Sequence, residues 1–84
     1  LADGGVAAGL PRAKAQEYAA QMLLGSARMV LETGKHPGEL KDMVCSPGGT
    51  TIEAVKVLEE QGFRAAVINA MQSCMEKSEA MSKK

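Results

Sequence analysis

Apolar residues recur every three to four positions along this chain and never alternate over a useful length, so the pattern predicts helices and no strands. Ala2, Val6 and Leu10 stand at i, i+4 and i+8, which reads as the end of a helix begun upstream, with Gly9 as its stop. Asp3-Gly4 is a hairpin dipeptide, but nothing strand-like flanks it. Pro11 opens a second helix to about Glu32, with Ala15, Tyr18, Ala19, Met22, Leu23, Ala27, Val30 and Leu31 on one face. Gly25 and Ser26, near its middle, are small enough to let another backbone come close, and Gly34 ends it. Pro37 starts a short segment, Gly38 to Val44, with Leu40 and Val44 at i, i+4. The next helix is expected to begin at Ser46, with Ile52, Val55 and Leu58 inward, Glu53, Lys56 and Glu60 outward, and Gly62 closing it. Phe63 begins the last helix, carrying Ala66, Val67, Ala70, Met71 and Cys74 on one face; its polar end, Glu76 to Lys84, is expected to fray. The expected fold is all-α, a small domain of four to five helices spanning residues 1–84.

Composition adds a requirement for a partner. Tyr18 and Phe63 are the only aromatic residues among 84, there is no Trp, and six Met supply much of the remaining bulk. A single core in a chain of this size rarely yields more than about 3–5 kcal/mol. The chain is therefore expected to bury surface against a second copy or another domain. The ten basic and ten acidic residues cancel and are interleaved, apart from Lys83-Lys84. Nucleic-acid binders concentrate positive charge on one face, so this balance argues against nucleic acid and against an anionic membrane. No apolar run approaches the ~20 residues that span a bilayer, and no signal-peptide pattern is present. Cys45 and Cys74 form no CxxC pair, and with a single histidine they make no metal-ligand set. Each is expected to be a small buried thiol, and the low cysteine count with no secretion signal points to a reducing, cytoplasmic setting. The chain opens at Leu1 in what reads as mid-helix sequence, so it is expected to be a piece of something longer.

Chemistry concentrates in Val44-Cys45-Ser46-Pro47-Gly48-Gly49-Thr50-Thr51. As a helix start, Ser46 suits the N-cap and Pro47 the first helical position. Gly48 and Gly49 would then leave the first-turn amides uncovered, with the Thr50 and Thr51 hydroxyls beside them. Open amides at the positive end of a helix dipole suit a carboxylate or a phosphate. Each glycine costs about 1 kcal/mol against alanine in a helix, so two together point to close approach by something else. The plainer alternative is a common Ser-Pro start whose glycines admit a neighbouring helix. No lysine follows the glycines, so this is no P-loop. His36 precedes a proline in a turn and reads as a cap for the next segment rather than a catalyst. Met22, Met29, Met43, Met71, Met75 and Met81 read as core or interface filler, not as a metal or haem site. No Ser-His-Asp or Cys-His set can be assembled, so a complete active site is not encoded here and the isolated chain is not expected to be active.

From Pro37 to Glu59 the sequence resembles the C-terminal domain of the pyrroline-5-carboxylate reductases. The family pattern is a proline, spaced aliphatics, small residues, a Gly-Gly pair, a threonine, then an Ala-aliphatic pair and an aliphatic-acidic close. It falls on Pro37, Leu40, Val44, Cys45, Ser46, Gly48, Gly49, Thr51, Ala54, Val55, Leu58 and Glu59. The flanks Leu1-Ala2-Asp3-Gly4-Gly5-Val6, Gly9-Leu10-Pro11-Arg12, Ala19-Ala20-Gln21 and Gly62-Phe63-Arg64 extend the resemblance over nearly the whole chain. The resemblance implies an interlocked helical dimerisation domain, in a homodimer or a higher homo-oligomer. It implies an enzyme that reduces 1-pyrroline-5-carboxylate to L-proline with NADPH or NADH, with the cofactor held by a Rossmann domain. This chain carries no Gly-x-Gly-x-x-Gly and no βαβ pattern, so it is expected to bind no cofactor alone.

By the same resemblance, Ser46, Gly48, Gly49 and Thr50 contribute hydroxyl or amide donors to the substrate carboxylate. Thr51 is implied to hydrogen-bond the ring nitrogen or the carboxylate and to serve catalysis, chiefly by orientation. Proton delivery runs through Thr51 or water, a hydroxyl alone being a poor acid. The residue before Ser46 varies in the family, so Cys45 implies nothing redox-active. A competing reading is a structural helical oligomerisation module that binds no ligand. A helix-turn-helix DNA binder is distant, given the zero net charge.

Overall fold

A computed structural model of the chain describes residues 1–83. Among them it places five helices and no strand: α1 (Ala2–Ala7), α2 (Arg12–Thr33), α3 (Pro37–Val44), α4 (Thr50–Glu60) and α5 (Phe63–Ser82). The all-α expectation holds. The chain divides into two compact units, residues 1–42 and residues from 43 onward, and α3 runs across the division.

In the first unit, α1 ends where the chain turns left-handed. Gly9 has φ +110°, its N–H donates to the Val6 carbonyl at 3.0 Å, and the Leu10 N–H donates to the Gly5 carbonyl at 2.9 Å. That pair of bonds is the Schellman arrangement, and it satisfies carbonyls the helix end would otherwise leave open. Leu10 folds back over Gly5: a methyl group added there would lie 3.3 Å from Leu10 Cδ1 and 3.2 Å from Ala15 Cβ. Ala15 on α2 is 2% exposed, and the close approach of α1 to α2 runs through Gly5. Among the described residues, nothing beyond its chain neighbours and its own helix backbone lies within 4 Å of a Cβ added at Gly25, so no other part of this chain takes up the space it leaves.

The apolar face expected of α2 forms but is largely uncovered. Ala15 alone is buried, while Tyr18, Met22, Leu23 and Leu31 remain exposed. Gly34, at φ +67°, stops α2 and donates its N–H to the Val30 carbonyl at 3.1 Å. His36 then caps α3 as expected: its Nδ1 accepts the Gly38 N–H at 2.9 Å. Leu40 on α3 is the other buried apolar side chain among the described residues.

In the second unit, α4 gives way to α5 at Gly62, which sits left-handed at φ +75° and accepts the Ala66 N–H at 2.9 Å. Arg64 Nη2 and Glu59 Oε1, 3.3 Å apart, bridge the corner. Phe63, Ile68, Met71 and Met75 on α5 are all exposed. The end of α5 corrects an expectation. Instead of fraying from Glu76, the helix continues to Ser82. Glu76, Lys77, Glu79 and Ala80 are good helix formers, and Lys83 Nζ pairs with Glu79 Oε1 at 3.3 Å across one turn. Lys84, the other half of the basic end, lies outside the described residues. Among the described residues no helix is long and apolar enough to cross a membrane.

Candidate functional site

The six residues from Ser46 to Thr51 lie together in the second unit, between the end of α3 and the first residues of α4. Their arrangement corrects the expected helix start. The helix begins at Thr50 rather than Ser46, and Gly49 is its N-cap. Ser46 to Gly49 instead close a turn, with the Gly49 N–H donating to the Ser46 carbonyl at 3.0 Å. Pro47 occupies the second turn position and Gly48, at φ +68°, the third. Proline there followed by a left-handed glycine is the signature of a type II turn. Pro47 thus fixes a turn and does not open a helix.

This changes what the glycines say. Gly48 answers to its positive φ, which a side chain resists, so it needs no ligand to explain it. Gly49 is in extended backbone, φ −82° and ψ 178°, which any residue adopts. Neither spends helix propensity, because neither is inside α4.

The electropositive end of α4 survives the correction. No side chain caps this helix. The amides of Thr50, Thr51 and Ile52 therefore belong to the orphan donors that every helix leaves at its start. Thr50 and Thr51 are the first two helical residues, both exposed, with their hydroxyls beside those amides. Ser46 is exposed, and Gly49 and Cys45 are half-buried. Glu53 shares the first turn, where its charge also complements the dipole. Chemically, this end of α4 can receive a small anion on N–H and O–H donors.

His36 lies in the first unit with Nδ1 occupied as an acceptor, a capping role. Cys45 and Cys74 are free thiols. Cys74 is exposed rather than buried, because α5 is uncovered on its apolar side. Among the described residues no three His, Cys, Asp or Glu side chains come together as a metal site.

Comparison with known proteins places these elements in a family. Residues 1–81 match the family described as pyrroline-5-carboxylate reductase dimerisation. The chain is 72% identical over 83 residues to the pyrroline-5-carboxylate reductase of Escherichia coli, covering 99% of this chain and 31% of that protein. It is 38% identical to the pyrroline carboxylate reductase of Plasmodium falciparum, a crystal structure with NADP bound, at a TM-score of 0.92 over 96% of this chain and 31% of that one. A crystal structure of the Streptococcus pyogenes 1-pyrroline-5-carboxylate reductase is 40% identical, with a TM-score of 0.89 over 92% of this chain and 30% of that one. The chain thus spans about a third of the length of the relatives it matches.

Proposed function

The chain belongs to the pyrroline-5-carboxylate reductase dimerisation family, and from that premise we propose that it is the dimerising, substrate-binding part of an enzyme that reduces 1-pyrroline-5-carboxylate to L-proline with NADPH or NADH. The observation that carries the reading is the match over residues 1–81, which contains every residue of the uncapped α4 start. The substrate carries a carboxylate, and that helix end offers donors for one.

The roles follow from position. The amides at the start of α4, with the hydroxyls of Ser46 and Thr50, hold the carboxylate, and Gly48 shapes the turn that carries Ser46. Thr51, the second helical residue, orients the ring nitrogen through Oγ1. The proton that converts imine to amine reaches that nitrogen through Thr51 or a water beside it. Fixing the ring in one orientation converts binding into rate.

The nicotinamide cofactor does not fit the residues present. A dinucleotide fold sets its glycines between a strand and a helix, whereas Gly48 and Gly49 stand between two helices and the described residues hold no strand. The cofactor is therefore assigned to residues outside this sequence. The partner is a second copy of the chain, which would cover apolar faces such as Tyr18, Met22 and Leu23 on α2 and Ile68 and Met71 on α5. Neither nucleic acid nor membrane is assigned as a partner, and the setting is cytoplasmic, as two free cysteines suit a reducing compartment.

The test is cofactor oxidation by the full-length parent enzyme with 1-pyrroline-5-carboxylate, wild type beside Thr51→Val. Turnover is expected in the wild type, with a fall in kcat of about a hundredfold or more in the variant. Equal kcat and KM in the two proteins would remove Thr51 from the site. An oligomeric wild type that neither turns over the imine nor binds proline would leave a structural module without a ligand.

A further inference from the structure

We infer that Gly49 is a positioning residue, whose missing side chain keeps the Ser46 hydroxyl beside the N-cap of α4. The inference rests on the proposed reading of Ser46 to Thr51 as the carboxylate site.

Three observations converge on it. First, Gly49's backbone does not require glycine, since φ −82° and ψ 178° suit any residue. Second, an N-cap is where Ser, Thr, Asp or Asn normally stabilises a helix by bonding its first amides. This chain forgoes that side chain and leaves α4 uncapped. Third, the space left by the absent side chain is not empty. A methyl group at Gly49 would collide with Ser46 Oγ, and it would lie 3.2 Å from the Ser46 carbonyl oxygen and 3.6 Å from Ser46 Cβ. The hydroxyl thus stands where the N-cap side chain would begin.

The Gly49 amide, meanwhile, is used inside the turn, donating to the Ser46 carbonyl. What Gly49 offers a ligand is therefore room. Any larger residue would turn the Ser46 hydroxyl away. A serine or aspartate would in addition bond the amides a carboxylate needs. Glycine at 49 keeps both sets of donors available: the hydroxyl of residue 46 and the amides of residues 50 to 52.

A hydroxyl bonded to a carboxylate in ground and transition states alike lowers KM and leaves kcat alone. A double-mutant cycle in the full-length enzyme reads this directly, with wild type, Gly49→Ala, Ser46→Ala and the double variant compared for KM, kcat, proline affinity and Tm. Each single variant is expected to raise KM and weaken proline about tenfold to a hundredfold, the range of one charge-assisted hydrogen bond. Values of kcat stay within about twofold, and the double variant is no worse than Ser46→Ala, since no hydroxyl remains to be displaced. A Gly49→Ala KM near wild type, or two losses that multiply in the double variant, would overturn the inference while leaving the site reading standing. Should Gly49→Ala fail to fold, Ser46→Ala decides: a double variant that folds supports displacement of the hydroxyl, and one that still fails assigns the obstacle to the Ser46 carbonyl and overturns it. A wild type with no turnover and no proline binding would sink the site reading itself, and this inference with it.

Discussion

Gly5 and Gly49 both stand where a neighbour has moved into the space of a missing side chain, but the neighbours differ in kind. At Gly5 the intruders are carbon: Ala15 Cβ and Leu10 Cδ1, at 3.2 and 3.3 Å from where a methyl would sit. At Gly49 the two nearest are oxygen, the hydroxyl and carbonyl of Ser46. The first approach excludes water from Ala15, one of two buried side chains among the described residues, and so serves packing. The second gathers polar groups at the open end of a helix that nothing caps, on a surface where almost nothing is buried. A close approach on carbon fits a structural role, and one on oxygen beside orphan amides fits a binding role.

The sharpest way to break that contrast is to fill the carbon side. Gly5→Val places branched methyl groups against Ala15 and Leu10. Overpacking of this kind costs about 1–3 kcal/mol. In the full-length enzyme the unfolding midpoint in urea should fall, while KM for the imine stays within about twofold, because no site residue belongs to that corner. A KM shift as large as that of Gly49→Ala would mean that the two approaches do not differ in role.

The next test acts on the turn rather than on the space beside it. Gly48→Ala forces a side chain into φ +68°, at a cost of about 1–2 kcal/mol. An open field surrounds that position, with nothing within 4 Å of an added Cβ, so the cost is conformational and not steric. Stability and KM should both suffer, since the turn carries Ser46. Chemical denaturation together with steady-state kinetics on the same variant would show it. A loss of stability with an unchanged KM would detach the turn from the site.

How far the sequence alone leads follows from the same residues. Helical periodicity was legible because it repeats over many turns, and the stops at Gly9, Gly34 and Gly62 were legible because each takes a positive φ that glycine favours. The site's residues could be read because they are consecutive, so no tertiary contact had to be guessed. The start of α4 was misjudged because Ser-Pro fits two local structures, an N-cap with its first helical residue and the first half of a turn. Gly48, directly after proline, is the local signal that favours the turn, because its positive φ completes a type II turn. The approach of Ser46 Oγ to Gly49 was not legible at all, because it depends on the turn type and on the serine rotamer together. The exposure of α2 and α5 was foreshadowed by the scarcity of aromatics, a shortage of bulk that no arrangement of 84 residues repairs.

The smallest effects should come from the ion pairs at the two helix corners. Arg12 Nη1 lies 2.6 Å from Asp3 Oδ1 at the α1–α2 corner, and Arg64 Nη2 lies 3.3 Å from Glu59 Oε1 at the α4–α5 corner. The shorter pair invites a larger role, but Asp3 is 93% exposed, so water screens the attraction and holding the arginine still costs side-chain entropy. Arg12→Ala and Arg64→Ala are each expected to cost less than about 1 kcal/mol, with the difference shrinking further in high salt. Urea denaturation of both variants at low and high ionic strength measures it. A salt-insensitive loss well above that bound at Arg12 alone would mean that its stem packs on the corner that Gly5 and Ala15 form, making the arginine part of the packing rather than its surface decoration.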